Sequence, residues 1–71
     1  MTVGQSIKKA RTDKGYSQHK LANKIGTSPC NVHLWEHDKV QPCFYLLMKM
    51  ADVLGVSLDD LVGRTVPSNE V

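Results

Sequence analysis

The hydrophobic positions of the chain recur at helical spacing in five separate stretches. Within each stretch the apolar side chains lie three or four residues apart, which is typical of a helix that buries one face. No stretch alternates β-branched and polar residues, so the pattern predicts no strand. It predicts an all-α fold with helices over about residues 3–14, 18–25, 29–37, 43–54 and 58–62.

Capping residues and glycines mark the ends of these stretches. A hydroxyl residue precedes four of them, and Pro29 stands at the first helical position after Ser28, where proline is well tolerated. Glycine follows four of them, where it ends a helix in the left-handed conformation at little cost. The expected core side chains are Val3, Ile7, Ala10, Leu21, Ala22, Ile25, Val32, Trp35, Phe44, Leu47, Met50, Ala51, Leu54, Leu58 and Leu61.

Length and composition limit what the chain can do. Its 71 residues, 41% of them hydrophobic, suffice for one small domain, which we place at residues 1–63 with a flexible tail over 64–71. Two cysteines do not make a disulfide framework, and no apolar run approaches the length of a membrane span. The first residues lack the apolar segment of a signal peptide. We therefore expect a cytoplasmic protein without membrane association.

Charge is distributed unevenly along the chain. Residues 1–41 contain seven Lys or Arg and three Asp or Glu, a balance of +4, whereas residues 42–71 contain two and four, a balance of −2. A basic half indicates a polyanionic partner, although many solvated helices carry as many lysines. Charge alone therefore does not identify nucleic acid as the ligand.

The second and third helices have the features of two helices that cross steeply. Ala22 supplies a small side chain for the close approach, Gly26 suits the tight turn, and Val32 and Trp35 can bury one face of the third helix. The opposite face of the third helix then points outward. It consists of Ser28, Pro29, Cys30, Asn31, His33, Leu34 and His37.

This segment resembles the helix-turn-helix of phage-repressor-like regulators, the Cro and XRE group. The resemblance is carried by Gln18-x-x-Leu21-Ala22-x-x-Ile25-Gly26-Thr27-Ser28 and Val32-x-x-Trp35-Glu36, and it extends over about residues 4–63. It implies a compact lambda-repressor-like bundle of five helices. It also implies a sequence-specific regulator of transcription, a repressor, that inserts helix 29–37 into the major groove of double-stranded DNA.

The resemblance also implies roles for individual residues. Phosphate contacts fall to Gln18, which could instead buttress the third helix, and to Thr27, Ser28 and Lys39. Hydrogen bonds to bases fall to Asn31, His33 and His37, and contacts with thymine methyl groups to Pro29, Cys30 and Leu34. Arg11 and Glu36 match a pair that ties the first helix to the end of the third. The usual Gln and Arg readers are missing from this helix, so the operator sequence is not predicted.

The fourth helix is apolar over a wider arc than a monomer needs. Leu46 and Val53 extend the core arc on one edge and Met48 on the other. One explanation is that the fifth helix and the tail cover the surplus. The other is a homodimer on a near-palindromic operator. Its interface candidates are Leu46, Val53, Val56 and Val62.

Other functions fit the sequence less well. Cys30, His33 and His37 share one side of a helix, but a closed zinc site would need Cys43 to fold back, so no metal or cofactor is predicted. The histidines have no nucleophile or carboxylate at a catalytic spacing, which argues against an enzyme. Two alternatives stay open. The chain could be a protein-interaction module, such as an antitoxin with an unknown partner, or the DNA-binding part of a longer repressor.

Overall fold

The computed structural model describes residues 2–62, without the side chain of Val62, and these residues form five helices. The helices are α1 (Val3–Lys14), α2 (Gln18–Ile25), α3 (Pro29–Glu36), α4 (Phe44–Leu54) and α5 (Leu58–Val62). The predicted all-α fold is confirmed, with α3 one residue shorter at its end and α4 one residue shorter at its start. The predicted tail at 64–71 lies outside the described residues.

Side-chain caps start the helices where the sequence predicts them. Thr2 and Gln5 form a complete capping box, with Thr2 Oγ1 accepting from the Gln5 amide at 3.1 Å and Gln5 Oε1 accepting from the Thr2 amide at 2.9 Å. Ser17 and Ser28 accept in the same way from the third residue of α2 and α3. Each cap satisfies an amide that would otherwise lack a partner, which fixes where the helix begins.

The core lies where α1, α2, α3, α4 and α5 converge. α1 packs against α3, α4 and α5, and α2 packs against α3 and α4. Buried apolar side chains from every helix meet there. They are Ile7, Leu21, Ala22, Ile25, Val32, Trp35, Met50, Leu54 and Leu61. In the described part of the chain, every helix is too short or too polar for a transmembrane segment.

The orientation of α4 differs from the predicted one. Phe44 was expected in the core, but its side chain is 64% exposed. Met50 and Leu54 of α4 are buried in the core instead. With α4 rotated in this way, Leu46 and Val53 are half-buried against the core. Its surplus apolar surface therefore lies on the other edge, at Phe44, Tyr45 and Met48. The predicted buried face of α4 was therefore centred too close to Phe44.

Candidate nucleic-acid interface

The turn between α2 and α3 is short and closed by backbone hydrogen bonds. Gly26 ends α2 with a φ of 81°, and the amides of Gly26 and Thr27 both donate to the carbonyl of Ala22 at 2.9 Å. Ser28 then caps α3, with its Oγ accepting from the Asn31 amide at 3.2 Å. A positive φ at Gly26 costs little because glycine has no Cβ. The turn thus fixes the direction in which α3 leaves α2.

The outward face of α3 carries the residues for which the sequence predicts contacts. Val32, Trp35 and Glu36 are buried on the inner side. The outer residues and their flanks are exposed at Ser28, Cys30, Asn31, His33, His37 and Lys39, and half-buried at Gln18, Thr27, Pro29 and Leu34. The structure therefore gathers these ten residues around one helix and its entering turn.

Two contacts organise this outer face. The Asn31 side-chain amide donates to Thr27 Oγ1 at 2.9 Å, so it is held toward the start of α3. The rings of His33 and His37 lie with their centroids 4.2 Å apart and their planes inclined at 52°. Both contacts involve polar groups that stay accessible to solvent. The outer face of α3 consequently presents hydrogen-bond donors and acceptors whose positions these two contacts define.

A buried ion pair holds the far end of α3. Arg11 Nε donates to Glu36 Oε2 at 2.5 Å, and Arg11 Nη2 donates to Glu36 Oε1 at 3.1 Å. The side chains are only 10% and 1% exposed. Gln18 Nε2 also donates to Glu36 Oε1 at 3.0 Å, and Arg11 Nη1 donates to the carbonyl of Tyr16 at 2.7 Å. One carboxylate thus connects α1, α2 and α3.

Sequence reasoning missed two residues that position the loop after α3. Asp38 has a φ of 58°, and its carboxylate accepts from the Gly4 amide at 3.1 Å and from Thr2 Oγ1 at 2.7 Å. A Cβ added at Gly4 would lie 2.8 Å from the carbonyl oxygen of Glu36. The tolerance of aspartate for positive φ was a visible signal, but its partners lie more than thirty residues away.

The basic side chains of the first three helices and the following loop form few ion pairs within the described residues. Within residues 2–62, salt bridges join only Lys9 with Asp13 and Arg11 with Glu36. The other lysines of the first three helices and the following loop form no salt bridge in that range. They are Lys8, Lys14, Lys20, Lys24 and Lys39. Within residues 2–62, ion pairing therefore leaves five of the seven basic side chains of the first half without an acidic partner.

The family of the chain follows from its sequence. A family model described as helix-turn-helix matches residues 7–61, which is most of the chain, so the chain belongs to that family. The family and the fold are those of DNA-binding transcription regulators and not of enzymes. This confirms the resemblance to phage-repressor-like regulators.

Known relatives and a solved structure agree with this membership. The chain is 39% identical over 62 residues to the SPbeta prophage-derived uncharacterized HTH-type transcriptional regulator YonR of Bacillus subtilis, covering 87% of this chain and 57% of YonR. It is 43% identical over 56 residues to multiprotein-bridging factor 1 of Saccharomyces cerevisiae, covering 79% of this chain and 37% of that protein. The crystal structure of SinR, a master regulator for biofilm formation, in complex with DNA has a TM-score of 0.79 at 36% identity. That match covers 84% of this chain and 97% of the SinR chain.

The chain is shorter than its curated relatives. It spans 57% of the length of YonR and 37% of the yeast factor. What those proteins do as wholes is therefore a separate question from what this domain does.

Proposed function

We propose that the chain is a sequence-specific double-stranded DNA-binding regulator of transcription, and that it acts as a repressor by occupying a promoter. The observation that carries the proposal is the outward face of α3, which presents polar side chains while Glu36 is held by Arg11 and Gln18. A protruding helix fixed at both ends suits the major groove. SinR, whose structure was solved with DNA, supports the same ligand.

Phosphate contacts would set the position of the domain on the duplex. Ser28 and Thr27 lie at the start of α3, where amides and hydroxyls favour an anion. Lys39 is exposed in the loop after α3. Gln18 uses one amide hydrogen on Glu36, so in our proposal its main role is to buttress α3, with its second hydrogen left for a phosphate.

Base contacts would come from the outer face of α3 and from His37, which directly follows it. Asn31, His33 and His37 can exchange hydrogen bonds with base edges, and an asparagine amide is suited to adenine. The bond to Thr27 uses one amide hydrogen of Asn31, so its oxygen and its second hydrogen are left for a base. Apolar contacts with thymine methyl groups would come from Pro29, Cys30 and Leu34.

A homodimer on a near-palindromic operator completes the proposal. Two copies of α3 separated by one DNA turn, about 34–36 Å, would read equivalent half-sites. The proposed interface uses Leu46, Val53 and Val56, which are half-buried against the core, together with Val62, whose side chain is outside the described residues. The proposal includes a cytoplasmic location.

The alternative of a protein-interaction module is not favoured. The relatives include HTH-type transcriptional regulators, and the SinR structure was solved in complex with DNA. The name of the yeast relative refers to bridging several proteins. That name describes the whole yeast protein, and this chain spans only 37% of its length. Membership in a longer repressor is compatible with our proposal, since it concerns only what surrounds the domain.

Selection of duplexes from a random pool tests the proposal directly. We expect enrichment of one near-palindromic sequence. Asn31→Ala should weaken binding to that sequence by about 1–3 kcal/mol and spare binding to random DNA. Lys39→Ala should weaken both alike and lower the salt slope of the affinity by about 1.

Lys14→Ala is the matched control for the lysine variant. It removes the same charge from a side chain that lies beside Gly55, the residue that ends α4. We expect it to leave the specific affinity within about twofold of wild type, because remote charges are screened by salt. A pool that yields no enriched sequence would contradict sequence-specific binding.

A further inference from the structure

Two histidines stand together on the outer face of α3. His33 and His37 are four residues apart, which places them on adjacent turns of one helical face. The His37 amide donates to the His33 carbonyl at 3.1 Å, so the helical hydrogen bond spans this pair. Both side chains are exposed, and their ring centroids are 4.2 Å apart. Their proximity is thus built into the backbone.

Imidazole pairs of this geometry are chelating groups for transition metals. Zn²⁺ binds histidine nitrogen at about 2.0–2.1 Å, so two nitrogens on one ion lie within about 4 Å of each other. The two ring centroids are 4.2 Å apart, which is already close to that separation. We propose that His33 and His37 form a binding site for a divalent transition-metal ion of the imidazole-preferring class, such as Zn²⁺, Cu²⁺ or Ni²⁺.

The site is open rather than closed. Within residues 2–62, no group of three or more His, Cys, Asp or Glu residues is arranged to hold a metal. The ion therefore has two protein ligands and keeps water in its remaining positions, in contrast to a structural zinc site with four. An ion in an open site of this kind exchanges with ions in solution. The occupancy of the site therefore depends on the metal concentration around the protein.

The location of the site connects metal to DNA. A ring nitrogen that holds an ion cannot hydrogen-bond a base at the same time. On the proposed DNA interface, metal binding therefore competes with base contacts made through the same ring nitrogen, and it also fixes the orientation of both rings. This consequence rests on the proposed function, whereas the metal site itself does not.

Titration of the full 71-residue chain with ZnCl₂, followed by the NMR resonances of its three histidines, tests the site. Wild type should bind one ion per chain with shifts at His33 and His37. His33→Gln and His37→Gln should each weaken binding by about tenfold or more, because the second ligand acts at high effective concentration. His19→Ala removes the remaining histidine, which is exposed on α2, and should leave binding unchanged.

Two results would overturn the metal site. One is binding that survives in both His→Gln variants, and the other is binding that is lost in Cys30→Ser, which would identify the neighbouring thiolate as the essential ligand. A separate measurement addresses the DNA consequence. Saturating Zn²⁺ should weaken binding to the duplex selected without metal by about tenfold, and equal Mg²⁺, which prefers oxygen ligands, should not. An unchanged DNA affinity with confirmed zinc binding would support the site and contradict the assignment of these histidines to bases.

Discussion

At the scale of single residues, Glu36 is a buried carboxylate that depends on its partners. Its side chain is 1% exposed, and its charge is balanced by Arg11, with a further hydrogen bond from Gln18. Removing one partner of a buried ion pair leaves an uncompensated charge. We predict that Arg11→Met lowers the free energy of unfolding by about 3–5 kcal/mol, measured by urea denaturation.

Two further variants separate buried charge from lost packing. Lys9→Met breaks the Lys9–Asp13 pair, whose side chains are 63% and 65% exposed, and should change stability by less than about 1 kcal/mol. Adding Glu36→Leu to Arg11→Met should recover most of the loss, because an apolar pair needs no charge partner. If the double variant is as unstable as Arg11→Met, burial of charge is not the cause.

At the scale of helices, α1 and the end of α3 approach so closely that only glycine fits at position 4. The Gly4 amide donates to Asp38, and a Cβ at Gly4 would lie 2.7 Å from the Asp38 carboxylate and 2.8 Å from the Glu36 carbonyl. Alanine normally stabilises a helix relative to glycine by about 0.5–1 kcal/mol. Here we predict the opposite sign. Gly4→Ala should destabilise the fold by about 1–3 kcal/mol, because the backbone of α3 must shift.

A substitution to alanine at an open position of the same helix provides the comparison. Lys8→Ala places alanine on the exposed side of α1 and should leave the thermal midpoint nearly unchanged. Gly4→Ala should also weaken binding to the selected duplex, since it displaces the end of the helix that we propose reads DNA. A Gly4→Ala protein that is more stable than wild type would show that α1 and α3 separate easily.

At the scale of the whole molecule, assembly depends on which apolar face of α4 is used. The proposed dimer uses Val53 and its half-buried neighbours, whereas Met48 on the opposite edge is 47% exposed. We predict a dimer at micromolar concentration by light scattering. Val53→Glu should be monomeric and bind the operator far more weakly, and Met48→Glu should remain dimeric. The reverse outcome would place the interface on the edge formed by Phe44, Tyr45 and Met48.

The helices and their ends were predictable because their causes are local. The capping box of Thr2 and Gln5, the proline after Ser28 and the glycine ends each act within a few residues of one another. Local backbone geometry and hydrogen bonding decide where a helix begins and ends, so the residue types at neighbouring positions predict these ends. The residues on the outer face of α3 followed from the same periodicity, because burying Val32 and Trp35 leaves only one side to face outward.

The sequence by itself determined the five helices, the turn between α2 and α3, and the family to which the chain belongs. The tertiary structure alone decided how far α4 rotates, which exposed Phe44 and half-buried Val53. It also decided that Asp38 reaches back to the start of α1. The physical reason is range. A helix forms from interactions between near neighbours, whereas its rotation and its loop contacts depend on side chains brought together only when distant helices pack.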